Sequence, residues 1–268
     1  MTRVSLDGSG GLDPRWRQHV AGGGLLERTD ATLRLVNVDT SRSQYTNAQI
    51  DDYQGLPRHR LPWRPPLKLT VRARFSHASG DGAKPLSGTA GFGFWNDPFL
   101  MTETRIPTLP RALWFFYGSP DSDMKMDLNV PGHGWKAATI DALRPVAFLL
   151  APLALPAVLL MNLRPLYRAL WPPLQGALNV RESATNAPMT QWHTYVINWD
   201  LGHATFSIDG RPVLENAPSP RGPLGFVMWL DNQYMIVKPW GRFGWGLLEA
   251  PGCQWLEVDR LLIEPQSP

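Results

Sequence analysis

The chain has 268 residues and is 43% hydrophobic, which is enough to bury the core of one large domain. Its 26 prolines and 24 glycines favour many turns and few long helices. The formal net charge is only +3 and the basic residues are scattered, so we do not predict nucleic-acid binding. A single cysteine excludes an intramolecular disulfide framework.

Two other classes of site are absent from the sequence. The histidines have no metal-ligand spacing, and no glycine-rich phosphate-binding loop is present, so we predict neither a metal nor a cofactor. The amino terminus has no apolar run of the secretory type. We therefore expect a cytoplasmic protein, peripheral at the membrane if one of its segments touches a lipid surface.

The first half of the chain alternates in the manner of β-strands. Leu67 to Ser76 is the clearest case, because apolar side chains at alternate positions face one way and Lys, Thr or Arg face the other. Leu25 to Val38 predicts one or two strands, and Thr89 to Asn96 predicts a strand whose glycines let backbone or a ligand approach closely. Leu113 to Tyr117 is an apolar run typical of a buried strand, and Met124 to Val130 alternates again.

The second half is organised around two strands joined by a turn. Trp192 to Trp199 presents two different faces, Asp200 to His203 supplies the turn, and Ala204 to Ile208 returns in β-friendly residues. Asp209-Gly210 then predicts a second tight reversal. Downstream we predict a strand, an aromatic glycine-rich loop and a closing strand, at Pro223 to Asp231, Asn232 to Gly252 and Trp255 to Ile263.

Five short landmarks follow one another along the chain: Tyr45-Thr46-Asn47-Ala48, Gly91 to Trp95, Trp192-His193-Thr194-Tyr195 with Trp199, Ile208-Asp209-Gly210, and Leu256-Glu257-Val258-Asp259. Together they resemble the family-16 glycoside hydrolases and their relatives with the concanavalin-like sandwich. The resemblance extends over roughly residues 44–264. It implies an all-β fold, a jelly-roll sandwich of two antiparallel sheets. We expect residues 1–268 to form one such domain, with an apolar helical insertion at 141–180.

Val146 to Met161, within that insertion, has no charged or hydrogen-bonding side chain. It is shorter than the about 20 residues that a bilayer span needs, and Pro152 and Pro156 interrupt it, so we reject a transmembrane span. Three interpretations remain: a helical hairpin packed on its own domain, a lid over a ligand cleft that also touches a membrane surface, or a hydrophobic oligomer interface. Cations and aromatic residues around 146–171 suit an interfacial element: Arg144, Arg164, Tyr167, Arg168 and Trp171.

Catalytic carboxylates are missing where the resemblance places them. Retaining glycosidases need two carboxyl groups roughly 5 Å apart. In the family pattern one strand supplies a Glu, an Asp two residues on, and a second Glu two or three residues further. The matching strand in chain order is Arg111 to Gly118, whose sequence RALWFFYG has no carboxylate. The displaced substitutes that we consider are Asp97, Glu103, Asp121, Asp123 and Asp127.

The candidate site residues are acidic, histidine and aromatic side chains. For acid–base chemistry we nominate Asp127, Asp231 and His193, because an apolar pocket would raise the pKa of a buried carboxyl group and histidine titrates near neutrality. Aromatic rings stack on ligands but also fill sandwich cores, and the sequence does not fix which face each ring takes. The candidates for ligand contact are Trp95, Trp114, Phe116, Trp199, Trp229, Asn232, Tyr234 and Trp240.

Three functions stay open. The first is a sandwich that has lost the retaining dyad and binds a hydrophobic or amphipathic small molecule, such as a glycolipid, a polyprenyl or a terpenoid-like compound. The second is an enzyme that cyclises, isomerises or hydrates a lipophilic substrate by acid–base chemistry. The third is a glycoside hydrolase with displaced carboxylates. An open groove lined by rings would favour binding, whereas a closed tunnel with one isolated carboxylate would favour the second function.

Overall fold

Two antiparallel β-sheets lie face to face in the computed structural model, which describes residues 4–6, 14–29, 31–80, 84–98 and 106–266. Apolar side chains between the sheets form the main core, so the predicted all-β sandwich is confirmed. The strands are β1 (Val4–Leu6), β2 (Arg17–Ala21), β3 (Gly24–Arg28), β4 (Leu33–Thr40), β5 (Asn47–Asp51), β6 (Leu67–Phe75), β7 (Thr89–Trp95), β8 (Arg111–Gly118), β9 (Gly134–Asp141), β10 (Arg181–Ala184), β11 (His193–Trp199), β12 (His203–Ile208), β13 (Arg211–Pro218), β14 (Gly225–Asp231), β15 (Gln233–Val237), β16 (Phe243–Leu247) and β17 (Ala250–Pro265). The helices are a short 3-10 helix (Arg58–Arg60), α1 (Pro145–Leu160) and α2 (Arg164–Ala177).

The eight-stranded sheet, called the back sheet, has the order β13-β12-β11-β6-β17-β4-β3, with β1 beside β17. Its central strand β6 has the alternation that the sequence predicts. Leu69 faces the core, whereas Arg72 and Arg74 face outward and form ion pairs with Asp259 and Glu257. The predicted hairpins are also present, because β12 pairs with both β11 and β13.

The seven-stranded sheet, called the front sheet, has the order β10-β9-β8-β7-β14-β5-β2. Its inner face completes the core with the rings of Phe92, Phe94, Phe115 and Tyr117. Alternate residues of β7, β8 and β14 must then face outward, because successive side chains of a strand point to opposite faces of the sheet. These outward residues form the floor of the candidate site.

The segment from Met124 to Val130 corrects a prediction, because it is a loop and not a strand. Its backbone is held by a side chain instead of a neighbouring strand. Glu182 Oε1 accepts hydrogen bonds from the amides of Met126, at 3.1 Å, and Asp127, at 2.9 Å. Apolar alternation alone could not reveal this partner, because Glu182 lies more than fifty residues away in sequence.

The segment from Asn232 to Gly252 corrects another prediction, because it contains the two-stranded sheet of β15 and β16. Its glycines serve a close contact between the two strands. A Cβ at Gly246 would lie 2.5 Å from the ring of Tyr234, the residue directly opposite in the register. Glycine in a strand interior often marks such an approach. The composition typical of a loop therefore belongs here to a packed hairpin.

The insertion between β9 and β10 is helical, as predicted, and consists of α1 and α2. In α2, Tyr167 and Trp171 are buried against Met161 at the corner between the helices. In α1, most of the leucines are exposed, including Leu149 and Leu155. No helix in the described part of the chain combines the length and apolar character needed to cross a membrane. A lid role for this insertion stays a prediction.

Candidate functional site

A cleft of about 170 Å³ lies on the outer face of the front sheet, and we call it the aromatic cleft. Its floor is formed by four rings from the adjacent strands β7, β8 and β14, namely Trp95, Trp114, Phe116 and Trp229. The rest of its lining is mostly apolar, with three polar groups and one carboxylate: Gln49, Thr89, Pro110, Met124, Met126, Ile140, Val227, Asp231, Gln233, Met235 and Val237.

The four rings make one continuous surface. The ring centroid of Trp114 lies 5.9 Å from that of Trp95, 5.7 Å from that of Phe116 and 5.6 Å from that of Trp229. Centroid separations between about 4.5 and 7 Å are the range in which aromatic pairs attract each other. Trp114 is therefore the central ring of the floor, and it is only half-buried.

Two glycines of β7 leave room for these rings. A Cβ at Gly91 would lie 2.8 Å from the ring of Trp229, and a Cβ at Gly93 would lie 2.6 Å from Trp114 Cβ. The sequence predicted that something approaches these glycines closely. The nearest atoms are backbone carbonyl oxygens of β8, those of Phe115 and Leu113, each at 2.4 Å. Neighbouring backbone therefore approaches both glycines, and the floor above them is a packed aromatic layer and not a gap in the sheet.

β8 shows what stands in place of the family's catalytic carboxylates. Ala112, Trp114 and Phe116 face outward, whereas Leu113 and Phe115 face the core. Because side chains two residues apart share a face of a strand, a Glu-x-Asp-x-Glu set would occupy those three outward positions. They hold one methyl group and two rings, and β8 therefore carries no retaining dyad.

Asp231, at the end of β14, is the one carboxylate among the described residues that line the aromatic cleft. Its Oδ1 accepts hydrogen bonds from the Thr89 hydroxyl at 2.7 Å, from the Thr89 amide at 3.2 Å and from the Gln233 amide at 3.1 Å. Within the described part of the chain, Oδ2 has no hydrogen-bond partner. Burial raises the pKa of Asp231 to about 7, against the opposing effect of these hydrogen bonds. This carboxyl group can therefore hold or release a proton near neutral pH.

A second buried carboxylate on the same face, Asp51, is too distant to form a catalytic pair with Asp231. The register places Asp51 opposite Val227, four residues along β14 from Asp231, which is roughly 13 Å at the rise of a strand. Retaining sites need about 5 Å between the carboxyl groups and inverting sites about 6.5–9.5 Å. Asp51 is also engaged, since Oδ2 accepts hydrogen bonds from Gln49 and Gln54 at 2.9 and 2.6 Å.

The displaced substitutes lie elsewhere. Asp121 is exposed in the turn after β8, and Asp123 forms an ion pair with Lys238. Asp97 is buried after β7, where its carbonyl accepts a hydrogen bond from Arg58. None of these lines the aromatic cleft. Glu103 falls outside the described residues.

A buried ion pair holds the loop at the edge of the cleft. Lys136 Nζ lies 2.8 Å from Glu182 Oε2, and both side chains are almost inaccessible to solvent. Lys136 also donates to the carbonyls of Met124 and Pro131, at 3.2 and 2.9 Å, which closes the loop over the pair. Burial raises the pKa of Glu182, although Lys136 acts in the opposite direction. The pair thereby positions Met124 and Met126 on the wall of the cleft.

The same loop joins the cleft to the insertion. Trp171 Nε1 of α2 donates a hydrogen bond to the Met126 carbonyl at 2.9 Å, and Gln175 Nε2 donates to Asp127 Oδ2 at 2.8 Å. Asp127 therefore contacts α2 and lies outside the cleft, which corrects its placement as a cleft carboxylate. Its carboxylate is a structural acceptor, since Oδ1 also accepts from the Asn129 amide.

Two further nominated residues lie on the other sheet. Trp199 is fully buried between the sheets, and its Nε1 donates to the Pro220 carbonyl at 2.8 Å. His193 lies on β11, and its Nδ1 is 2.6 Å from Asp209 Oδ2 at the turn that ends β12. Both placements correct the expectation of a cleft position. The residues are the expected types, but their strand belongs to the back sheet.

The remaining nominated residues belong to the hairpin that follows β14. Asn232 is buried, its Oδ1 accepts from the Thr46 amide, and its Nδ2 donates to three backbone carbonyls, so it holds loops together. Tyr234 packs on the opposite glycine. Trp240 packs on Tyr167 of α2, with ring centroids 4.7 Å apart. None of the three lines the aromatic cleft, which corrects their placement. The nominated residues that do line it are Trp95, Trp114, Phe116, Trp229 and Asp231.

Comparison with known proteins identifies the fold. No family model and no curated protein matches the sequence. Among solved structures, the Crh5 transglycosylase in complex with NAG has a TM-score of 0.52 at 13% identity, over 100% of this chain and 86% of that one. LamA from Z. galactanivorans in complex with laminaritriose and laminaritetraose has a TM-score of 0.51 at 15% identity, over 97% of each chain. A laminarinase from Flavobacterium sp. UMI-01 has a TM-score of 0.50 at 12% identity, over 97% of this chain and 98% of that one.

The fold is the concanavalin-like sandwich of the family-16 glycoside hydrolases. At such low identities the likeness extends to the fold alone. The sandwich of this chain therefore matches that of glycan-acting proteins, while the outer face of β8 carries none of the carboxylates that the family pattern requires.

Sequence reasoning missed the polar groups of the cleft and the ion pair beside it. Gln49 lies opposite Trp229 in the strand register, and Thr89 lies opposite Asp231, but neither pairing is visible before the strands are aligned. Lys136 gave the one available signal. A lysine in the middle of the apolar strand β9 needs a counter-charge if it is buried.

Proposed function

We propose that the protein binds an amphipathic small molecule in the aromatic cleft and does not hydrolyse glycans. The observation that carries this proposal is the outward face of β8, where Ala112, Trp114 and Phe116 occupy the positions of a retaining dyad. Rings at those positions offer apolar contact to a ligand and no group that could attack or protonate a glycosidic bond.

The size of the cleft limits which part of the ligand it holds. At about 170 Å³ it is smaller than the about 300–1,000 Å³ typical of sites that enclose a drug-sized molecule. The cleft therefore accommodates one ring or a short alkyl segment on the Trp114 surface. The rest of the molecule must extend over the rim.

Polar groups at one edge give the ligand an orientation. Asp231, Gln233 and Gln49 line the edge of the cleft, whereas its floor is aromatic. With a pKa of about 7, Asp231 is partly protonated at neutral pH and can donate or accept a hydrogen bond. A ligand with one polar and one apolar end matches this arrangement better than a uniformly apolar one.

We infer that the polar end is a sugar. Crh5 was solved with NAG and LamA with laminaritriose and laminaritetraose, so the fold accommodates sugars in those proteins. Tryptophan faces also suit the apolar faces of sugar rings. An alkyl glycoside is the simplest molecule that combines the two ends.

Asp231 favours a second candidate function, acid–base chemistry on the bound molecule. A single protonated carboxyl group in an apolar cleft can donate a proton to an alkene or an oxygen of a lipophilic substrate. Its unpartnered Oδ2 is the atom that would do so. The open shape of the cleft, in which the rings of Trp114 and Phe116 are only partly buried, makes binding the first candidate.

Titration with octyl glucoside, below its micellar concentration, tests the first candidate by calorimetry and tryptophan fluorescence. We expect binding, and we expect Trp114→Gln to weaken it by about tenfold, since loss of one ring contact removes roughly 1.5 kcal/mol. Trp192→Gln is the matched control. Trp192 is also half-buried on an outer sheet face, but it lies on the back sheet under Arg72 and Arg74.

Two results would overturn the proposal. The first is no binding of octyl glucoside, or equal weakening by the two tryptophan substitutions. The second is release of sugars from laminarin that Asp231→Asn abolishes, which would establish a hydrolase with displaced carboxylates.

A further inference from the structure

Helix α1 presents apolar side chains to solvent over most of its length. The exposed fraction is 78% for Leu149, 61% for Leu153, 70% for Leu155 and 63% for Leu159. Contiguous apolar surface of this kind is rare on proteins that stay free in water, and it marks a site of contact with a partner or a lipid surface. The sandwich itself does not cover these leucines.

The segment that contains α1 and α2 carries charge of one sign. Residues 142–180 contain three arginines and no Asp or Glu. Two of the arginines, Arg164 and Arg168, lie on α2, and together with Lys125 they line a pocket of about 650 Å³ at the corner between the helices. Within the described part of the chain, none of these three cations forms an ion pair. We call this site the basic pocket.

Carboxylates near the basic pocket are occupied by other partners. Asp123 is paired with Lys238, and Asp127 accepts a hydrogen bond from Gln175. The Gln175 amide is neutral, so Asp127 keeps its charge, but among the described residues neither carboxylate forms an ion pair with Arg164, Arg168 or Lys125. The positive charge of the pocket remains available to an anion from outside.

Aromatic residues complete the surface. Tyr167 and Trp240 also line the basic pocket, and their rings pack edge to face. The hairpin that carries Trp240 touches the end of α1, because Asn162 Nδ2 donates to the Trp240 carbonyl at 3.2 Å. Further along the same hairpin, Phe243 and Trp245 are 64% and 63% exposed.

We propose that this surface docks on an anionic lipid membrane, with α1 in the plane of the interface and a lipid headgroup phosphate in the basic pocket. Exposed leucines enter the acyl boundary, arginine and lysine side chains meet anionic headgroups, and the exposed rings of Phe243 and Trp245 lie at the level between them. Charge complementarity decides for this partner. An apolar protein partner would leave the unpaired cations beside α1 without a function, whereas an anionic membrane satisfies both features at once.

Vesicle sedimentation with the full chain tests the proposal. We expect binding to phosphatidylcholine vesicles that contain phosphatidylserine, and much weaker binding to vesicles of phosphatidylcholine alone. Arg164→Gln with Arg168→Gln should lower the affinity about fivefold for each charge removed. Leu153→Gln with Leu159→Gln should lower it at least tenfold. The matched control is Leu201→Gln with Arg211→Gln, two exposed residues at the turns that flank β12.

Several outcomes would overturn the proposal. Equal binding to neutral and anionic vesicles would remove the role of the basic pocket, and equal loss in the control would remove the role of α1. Sedimentation velocity distinguishes self-association. A dimer that dissociates in the Leu153→Gln and Leu159→Gln variant would assign α1 to a second copy of the chain. Trp114→Gln should leave vesicle binding unchanged, so failure of the cleft proposal and failure of this one can be told apart.

Discussion

Two apolar surfaces of this protein, the aromatic cleft and helix α1, are built in opposite ways. The cleft lies on three hydrogen-bonded strands, and its rings pack against one another at centroid distances below 6 Å. α1 carries aliphatic side chains that meet few neighbours, and its leucines are mostly exposed. The cleft is concave and contains one carboxyl group, whereas the exposed side of α1 is convex and is flanked by cations.

The difference indicates what each surface can recognise. A rigid array of rings with a polar edge selects a small molecule by shape and orientation. A convex aliphatic helix beside unpaired cations selects an extended surface with anionic groups. One loop, residues 124–131, connects the two, because its methionines line the cleft and its carbonyls bind Trp171 and Lys136.

Breaking the ion pair beneath the connecting loop has the largest expected effect. Lys136→Met leaves Glu182 buried without its counter-charge, and we expect the free energy of unfolding to fall by about 3–5 kcal/mol. Chemical denaturation with circular dichroism measures it. Arg72→Met is the matched control, because the Arg72–Asp259 pair is partly exposed and such pairs contribute about 0–1 kcal/mol. Equal losses in both variants would contradict the role of the buried pair.

The strands could be predicted from the sequence because the pattern of apolar residues within a strand reflects which of its faces are buried. Alternation marks the strand β6, and continuous apolar runs mark the buried strands β7, β8 and β14. The order of the landmarks along the chain then predicted the correct fold. The loop at Met124 to Val130 could not be predicted, because its amides are satisfied by Glu182, which comes from another strand. Alternation without a neighbouring strand looks the same as alternation with one.

The site could be predicted only in part, for a related reason. The family pattern points to β8 and so to Trp114 and Phe116, whereas Trp95 and Trp229 are candidates only because they fall on predicted strands. Trp199 also falls on a predicted strand, but that strand belongs to the back sheet and Trp199 faces the core. Which face a ring takes depends on the sheet to which its strand is joined, and the sequence of a strand does not carry that information.

Asp231 gives the second prediction, in the pH dependence of stability. Burial raises its pKa from about 3.8 to about 7, so the folded state binds a proton more tightly than the unfolded chain. Stability contributed by the neutral form is therefore present at low pH and is lost as the pH rises from about 4 to about 7. Between pH 5 and pH 7 this loss amounts to about 2 kcal/mol for one such group. Asp231→Asn should remove it, as measured by denaturation at a series of pH values.

Asp52 supplies the control for that experiment. Its pKa is also raised to about 7 by burial, but it accepts hydrogen bonds from Trp63 and from the Phe226 amide and lies outside the aromatic cleft. Asp52→Asn should flatten the pH dependence by a similar amount while leaving binding of octyl glucoside unchanged. Asp231→Asn should change both. If neither substitution alters the pH profile, the two carboxyl groups are not protonated in the folded state.

The smallest expected effect is on the stability of α1 variants, and it tests whether the leucines of α1 are exposed or belong to the core. Leu153→Gln with Leu159→Gln should change the free energy of unfolding by no more than about 0.5 kcal/mol for each residue, because both side chains are mostly in water in the folded and unfolded states. Leu256→Ala in the core should cost about 2–5 kcal/mol by the same assay, since Leu256 is fully buried between the sheets. A loss of several kcal/mol in the α1 variant would mean that the helix packs on the protein in solution. The aliphatic surface would then be part of the core, and the contrast with the aromatic cleft would disappear.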